Sequence, residues 1–300
     1  MSSKTSANRK LETSIVVASH NEGAELRATV DSILACSADD AELIVVDDRS
    51  DDGSTDFLAN SPRIVHLVPE AQLGVAAARN VGARAARGET IVFCDAHVRV
   101  HAGWHEALQA ALEPRSVGAV APAIARLEAP AVRGYGFTWT SPDLVMRWLP
   151  KPRAGRQPVP FLGGACVAVR RDTFEEAGGF DEGCVRWGAE DAEFSLRLWR
   201  LGYECQVVSA VTVAHQFRTQ FPYAVDWSAT VHNLLRLATV HFEPPALQRV
   251  VDVYSRTDGF PSAYARLADS DVWERRRDLS QPAIRSARWF FRRFAMEAFL

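Results

Sequence analysis

The chain has 300 residues, 47% hydrophobic and 24% charged, a composition that allows a buried core without disulfide or metal staples and excludes a disordered or fibrous chain. Thirty-four Lys and Arg against 37 Asp and Glu leave a formal net charge of −3, so no chain-wide basic field exists to grip nucleic acid. Apolar runs fall short of the ~20 residues of a membrane span, and the polar start lacks a secretory h-region. Five scattered cysteines without a CxxC pair exclude a disulfide scaffold and read as small core residues, so a reduced, cytoplasmic setting is expected.

Residues 14–18 form a short β-branched apolar run. Residues 24–35 carry Leu26, Val30, Ile33 and Leu34 at helical spacing behind a polar Ser-His-Asn-Glu-Gly turn. A second strand over 43–46 closes on Asp47 and Asp48, and the loop 49–54, rich in Asp, Ser and Gly, leads into a short helix near 55–59. A third strand is expected over 64–67, an Ala-rich helix over 75–86 ended by Gly88, and a fourth strand over 90–94. Strands separated by helices in this rhythm predict a parallel sheet covered on both faces.

From about residue 102 the rhythm loosens. A helix over 104–112 and a strand over 117–121 precede an irregular stretch, 130–160, rich in Pro, Gly, Arg and Trp. Such a length is usually functional or mobile. Order returns over 163–169, with helices at 171–177 and 190–201 and a strand at 205–214. The remainder from 226 reads as helical, interrupted at Pro244-Pro245 and at 258–261. The expected organisation is a flexible start (1–13), an α/β domain (14–245) and a helical C-terminal extension (246–300).

In an open parallel sheet, ligands bind beyond the carboxyl ends of the strands. Three polar clusters fall there: Ser19-His20-Asn21-Glu22, Asp47-Asp48 and Asp95-Ala96-His97. Asp95 and His97, at i and i+2 on an extended segment, point to one side, where a carboxylate oxygen and an imidazole nitrogen can share a divalent ion. Mixed O/N ligation suits Mn²⁺, with Mg²⁺ or Zn²⁺ as lesser options. An N-capping Asp beside a surface His is the plainer alternative. His101 and His105 are assigned to the solvated face of the following helix. His215, directly after a strand, becomes a third ligand only with support from elsewhere, and Arg218 lies where it can meet an anionic group on the metal.

The run 187–193, Trp-Gly-Ala-Glu-Asp-Ala-Glu, opens a helix with paired carboxylates. The helix macrodipole accounts for one or two such acids but not for the adjoining Trp-Gly. The functional alternative makes one of Glu190 and Asp191 a general base and the other an acceptor for substrate hydroxyls. No G-x-G-x-x-G follows the first strand, and neither G-x-x-x-x-G-K-[ST] nor G-x-S-x-G occurs. Nicotinamide dehydrogenases, P-loop NTPases and α/β-hydrolases are disfavoured on those grounds.

The ordered set Ser-His-Asn-Glu, VVDDRSDDG, LGVAAARNVGARAARG, FCDAH, FLGGACVAVRR, WGAEDAEFSLRLWRLG and HQFR resembles the GT-A glycosyltransferases of family 2, nearest to the polypeptide N-acetylgalactosaminyltransferases. The resemblance covers about residues 14–242. It implies a GT-A fold, a Rossmann-like mixed, mostly parallel sheet flanked by helices, with a helical C-terminal tail. It also implies a metal-dependent transfer of sugar from a nucleotide-sugar, a UDP-sugar by preference, to a Ser, Thr or Cys side chain of a peptide. A saccharide, lipid-linked or small-molecule acceptor stays open, as does a non-catalytic nucleotide-sugar or partner-binding protein; a nucleotidyltransferase is disfavoured for want of a Gly-rich, Lys-containing loop.

Carried over residue by residue, the resemblance implies that Ala18, His20 and Asp48 line the nucleoside pocket and that Arg79 contacts the donor near the metal. Asp95, His97 and His215 would hold Mn²⁺ or Mg²⁺ on the diphosphate. Gly163 and Gly164 would let backbone approach the donor sugar, Trp187 and Glu190 would face donor and acceptor, and Arg218 and Tyr223 would lie on a lid. Two positions depart from the family pattern. Asp191 stands where the polypeptide transferases look to have Asn, and Gln72 where they have an Arg. An Asp at 191 matches the general base of inverting family 2 enzymes and predicts inversion. The stretch 284–300 mixes four Arg with Trp289 and four Phe; it is expected either to pack on the domain or to touch an anionic membrane or partner.

Overall fold

The computed structural model describes residues 11–37, 40–153, 155–218 and 226–300. The expected flexible start therefore lies, up to residue 10, outside the described residues, and so does Tyr223. The first half follows the alternation read from sequence: β1 (Thr13–Ser19), α1 (Ala24–Cys36), β2 (Ala41–Asp47), β3 (Ile64–Leu67), α2 (Val75–Ala85) and β4 (Thr90–Asp95). β1, β2 and β4 are buried along almost their whole length, which is why they read as continuous apolar runs instead of alternating ones. They pair in parallel in the order β3-β2-β1-β4.

The second half makes the sheet mixed. In chain order it adds β5 (Val98–Arg99), α3 (Trp104–Ala111), β6 (Val117–Arg126), β7 (Arg133–Gly134), β8 (Phe137–Thr138), β9 (Arg147–Trp148), β10 (Arg156–Pro158) and β11 (Cys166–Arg170). Then follow α4 (Arg171–Glu176), α5 (Glu190–Arg200) and β12 (Glu204–His215). β11 runs antiparallel between β4 and β6, and β12 lies parallel to β6, so β4 and β12 point the same way. The main path is β10-β12-β6-β11-β4-β1-β2-β3.

β6 runs five residues beyond the expected end at 121, straight through Pro122. Pro122 pairs with Val208, at the point where β12 breaks register before Thr212, so the missing N–H interrupts no regular ladder. The irregular stretch 130–160 is organised by four short strands and buries Tyr135, Phe137, Trp139 and Leu144. His105, expected on a solvated face, is 1% exposed, because the first turn of α3 faces the sheet. Four of the five cysteines are buried and all are unbridged, as read from their scatter.

Five helices close the chain: α6 (Trp227–His241), α7 (Pro244–Tyr254), α8 (Phe260–Ala268), α9 (Val272–Ser280) and α10 (Ala287–Arg293). They share one apolar cluster with the sheet, in which Val250, Leu267, Phe290 and Phe291 join Phe93, Phe161 and Phe194. The aromatic–basic stretch forms α10 and a short 3-10 helix over Glu297–Phe299, and its phenylalanines turn inward: Phe290 stands 5.3 Å from Phe161 and Phe291 5.1 Å from Phe242, centre to centre. A buried Glu193–Arg197 pair, joined by His241 at 2.9 Å, ties α5 to α6.

Gly88 does not end α2, which stops at Ala86 in an extended conformation. A Cβ on Gly88 would lie 2.5 Å from the Thr13 carbonyl carbon and 2.6 Å from the Ser14 nitrogen, both backbone atoms. Close approach of two chains is therefore what requires glycine here. Gly88→Ala is expected to lower stability by about 2–3 kcal/mol, read as a drop in urea midpoint at unchanged m-value.

Candidate active site

The polar clusters stand on one rim because the strands that carry them are parallel. Ser19–His20 follows β1, Asp47–Asp48 ends β2, and Asp95 ends β4. The decisive pairing is non-local. β5 turns back just after Asp95 and lies antiparallel on the end of β12, with His215 opposite Val98 and the Gln216 N–H donating to the His97 carbonyl at 3.1 Å. His215 arrives in this way beside residues 120 positions earlier: its Nε2 is 3.2 Å from Asp95 Oδ2, and its ring centre is 4.7 Å from that of His97.

One ligand atom each from Asp95, His97 and His215 lie within 4.8 Å of one another. Adjacent ligands of one divalent ion sit roughly 3 Å apart, so this spacing closes on a cation with small side-chain adjustments. His97 Nδ1 faces Glu22 Oε2 at 3.1 Å. A carboxylate only accepts, so that bond puts the ring proton on Nδ1 and leaves Nε2 for a metal. The buried Nδ1 of His215 has no hydrogen-bond partner, which leaves either nitrogen of that ring available by rotation. The residues fit a divalent cation of mixed O/N preference. Arg218 completes the group by pairing with Glu22.

Electrostatics sort the acids of the site. Burial pushes the Asp95 carboxyl up, but the His215 hydrogen bond and the Arg79 charge outweigh it and hold Asp95 well below the usual carboxylate range. Glu22 is likewise lowered: burial is overcome by His97 and Arg218. Arg79 itself is 2% exposed. Its Nη2 donates to Asp95 Oδ1 at 2.7 Å and to the Gly164 carbonyl at 2.8 Å, while Nη1 stands 3.5 Å from Glu190 Oε1. Both Nη groups are thus engaged within the protein and hold Asp95 and Glu190 in place, while the buried Nε has no hydrogen-bond partner among the described residues.

On the other side of Arg79 stands the acid pair that opens α5. Glu190 accepts the Gly188 N–H at 2.9 Å, and burial raises its carboxyl despite Arg79. Asp191 Oδ2 accepts the Gly164 N–H at 3.0 Å and Oδ1 the Ala192 N–H at 2.7 Å. Burial and the Glu190 charge nevertheless push Asp191 up to about 7. A Cβ on Gly164 would sit 3.1 Å from Asp191 Oδ2, so glycine lets the backbone come close to that carboxylate.

Trp187 is 47% exposed on the loop leading to Glu190. That loop takes Arg186, Gly188 and Ala189 through positive φ (57°, 106° and 69°), and the side chain of Asn233 on α6 holds it. Asn233 Nδ2 donates to the carbonyls of Val185, Trp187 and Gly188 at 2.9–3.2 Å, and its Oδ1 accepts the Val185 N–H at 2.7 Å. Glu22 was expected at the rim only as part of the first polar cluster, with no role of its own, and Asn233 was not singled out. Glu22 had a signal, since it closes the first polar cluster; a lone Asn within a helix had none.

The expected nucleoside pocket is partly committed to structure. Ala18 is half-buried opposite Asp95. His20 Nδ1 donates to the Asp48 carbonyl at 2.9 Å, and the Asp48 carboxylate accepts the N–H groups of Leu73 and Gly74 at 2.6 and 2.8 Å. Gly163 lies under Trp148, which is 37% exposed and meets Phe217 edge-on at 6.1 Å. Phe217 in turn touches His215, at 4.5 Å between ring centres, so an aromatic wall borders the candidate metal site.

Residues 14–178 match Glycosyl transferase family 2, and residues 154–220 match the N-terminal domain of galactosyltransferase. The chain belongs to glycosyl transferase family 2. Among its relatives, polypeptide N-acetylgalactosaminyltransferase 12 of Mus musculus is 30% identical over 308 residues, covering 93% of this chain and 51% of that protein. Polypeptide N-acetylgalactosaminyltransferase 11 of Xenopus tropicalis is 34% identical over 256 residues, covering 76% and 42%. The chain spans about half the length of the curated relatives it matches. A crystal structure of GalNAc-T7 with UDP, GalNAc and Mn²⁺ shares the fold at a TM-score of 0.77 and 22% identity, over 97% of this chain and 57% of that one. A mannosyltransferase, PcManGT from Pyrobaculum calidifontis, in complex with GDP-Man and Mn²⁺, does so at 0.55 and 20%, over 96% and 84%.

In this family 2 chain the raised Asp191 carboxyl has a consequence for folding. A carboxyl raised in the folded state binds its proton more tightly there than in the unfolded chain, so it costs stability as pH rises from about 4 through 7. Asp191→Asn removes that cost. In the metal-free protein the variant is expected to match wild type near pH 4 and to exceed it by about 1–2 kcal/mol at pH 8, measured by urea titration across pH.

Proposed function

We propose that the protein is a metal-dependent glycosyltransferase that takes sugar from a nucleoside diphosphate sugar, a UDP-sugar by preference, and passes it to a Ser, Thr or Cys side chain of a peptide. The observation that carries this reading is the convergence of Asp95, His97 and His215 on one side of Arg79 with Glu190 and Asp191 on the other. The neighbours' ligands, UDP with Mn²⁺ and GDP-Man with Mn²⁺, support a nucleotide-sugar and a cation here. The names of the polypeptide transferases support a peptide acceptor.

Asp95, His97 and His215 would hold the cation, which when bound supplies Lewis-acid stabilisation of the departing diphosphate. The protein's own part is largely preorganisation. Arg218, fixed by Glu22, sets a second positive charge beside the leaving group. Gly163 and Gly164 let the backbone pass close to Trp148 and Asp191, which would face the donor sugar. Asp191, raised to about 7, has the proton affinity of a general base at neutral pH and would accept the acceptor's proton during in-line attack, giving inversion. Trp148 and Phe217 offer an aromatic wall to an acceptor segment.

Two experiments test this. Asp95→Ala and His215→Ala are each expected to lower Mn²⁺-dependent turnover by a hundredfold or more, on the order seen when a transition-state charge loses its support, His215→Ala at near wild-type thermal stability and Asp95→Ala with a lowered melting temperature because it unpairs the buried Arg79. Nucleotide release across UDP-, GDP- and dTDP-sugars, with and without peptides, reads the donor; unchanged rates in either variant would remove that residue from the metal site. For the base, kcat is expected to rise with pH through about 7, and Asp191→Asn to abolish that rise. NMR of the product's anomeric proton should report inversion; a retained configuration would leave Asp191 with acceptor orientation only.

A further inference from the structure

The transfer chemistry does not use the exposed face of α10, and that face has an unusual composition. Arg288, Trp289, Arg292 and Arg293 share it, at positions i, i+1, i+4 and i+5, and all four are exposed. The opposite face buries Phe290 and Phe291, so the helix is locked to the body of the protein and its outer face is preformed. Among the described residues no carboxylate pairs with Arg288, Arg292 or Arg293. Residues 281–300 hold four Arg against one Glu, a local excess of three positive charges on a chain whose net charge is −3. Apolar groups stand among these charges. Ile284, just before the helix, is 74% exposed, and Trp289 is 36% exposed with Arg285 fixed 4.5 Å over its ring.

We propose that this face docks on an anionic lipid surface. Charge complementarity selects the sign of the partner, and the mixture of guanidinium with exposed Trp and Ile selects its kind. Arginines reach lipid phosphates, indole rings settle at headgroup depth, and an exposed isoleucine gains from the acyl boundary. A polyanion in water would repay the charges alone. Placement agrees with such docking. Trp289 packs against Trp199, at the far end of α5 from Glu190, and nine residues of helix put about 14 Å between those ends. Docking through α10 therefore engages the end of α5 opposite the acid pair.

Vesicle flotation of the full chain tests this, using phosphatidylcholine vesicles with and without phosphatidylglycerol. The protein is expected to float with the phosphatidylglycerol vesicles at low salt, to be released at high salt, and to ignore pure phosphatidylcholine. The triple variant R288Q/R292Q/R293Q should weaken the partition on the order of a hundredfold, about fivefold per charge removed, and Trp289→Ser several-fold. Nucleotide release should stay at wild-type values in both variants, since none of these residues belongs to the transfer site, and the thermal melt should stay at the wild-type value in the triple variant; Trp289→Ser lowers it somewhat by removing the contact with Trp199. Failure to float with phosphatidylglycerol vesicles overturns the proposal. So does equal binding to pure phosphatidylcholine, or full binding by the triple variant. Self-association that the triple variant abolishes, without vesicle binding, would assign the face to a second copy of the chain instead.

Discussion

A guanidinium buried in a protein costs several kcal/mol unless acceptors meet its donors, and the site is organised around one that is buried almost completely. Arg79 meets most of that requirement through its two Nη groups, with Asp95 from the end of β4, the Gly164 carbonyl from the approach to β11, and Glu190 from the start of α5; its Nε has no partner among the described residues. Those three segments have no sequence proximity. Their common need to neutralise one cation sets the distance between the metal-binding side and the acid pair. A single positive charge shared among three carboxylates also sorts them. Asp95, the nearest, is held ionised, while Glu190 and Asp191 stay raised by burial and by each other. The same charge thus holds one acid ionised and leaves another raised to about 7.

Two further contacts fix the remaining coordinates of the site. The short pairing of β5 with β12 brings His215 to Asp95 and His97, and the Glu22–His97 bond orients the imidazole. Asn233 performs the analogous task for the Trp187 loop. Four hydrogen bonds from one amide hold a chain that passes through three positive-φ residues, a conformation that non-glycine residues adopt only when their surroundings impose it. The helices after the sheet are therefore part of the site's support, through Asn233 and through the buried Glu193–His241 contact.

Much of this was legible from the chain. Periodicity located β3 at its full length and the first helices to within a residue or two, because their apolar patterns are strong and their ends are marked by polar turns. Asp95 and His97 were legible as a pair, but not for the reason expected: β4 ends at Asp95, and a turn over residues 96–97, not strand alternation, brings the two side chains together. β6 extends five residues past the end expected at 121, and the break in its partner β12 is what makes Pro122 acceptable inside a central strand. His105 was assigned to solvent because a histidine on a helix carries no burial signal of its own.

The sequence by itself determined the parallel half of the sheet, the family, and which residue types gather at the strand ends, since these depend on local periodicity and on ordered motifs. Tertiary structure alone decided the rest. It assigned Arg79 to the interior as a shared counter-ion, made Glu22 the partner of both His97 and Arg218, and gave Asn233 its loop. It also turned the phenylalanines of α10 inward and left its arginines in solvent. The physical reason is common to all of these. Each depends on which distant groups must be neutralised, hydrogen-bonded or covered once the chain is compact, and a linear pattern carries no record of that accounting.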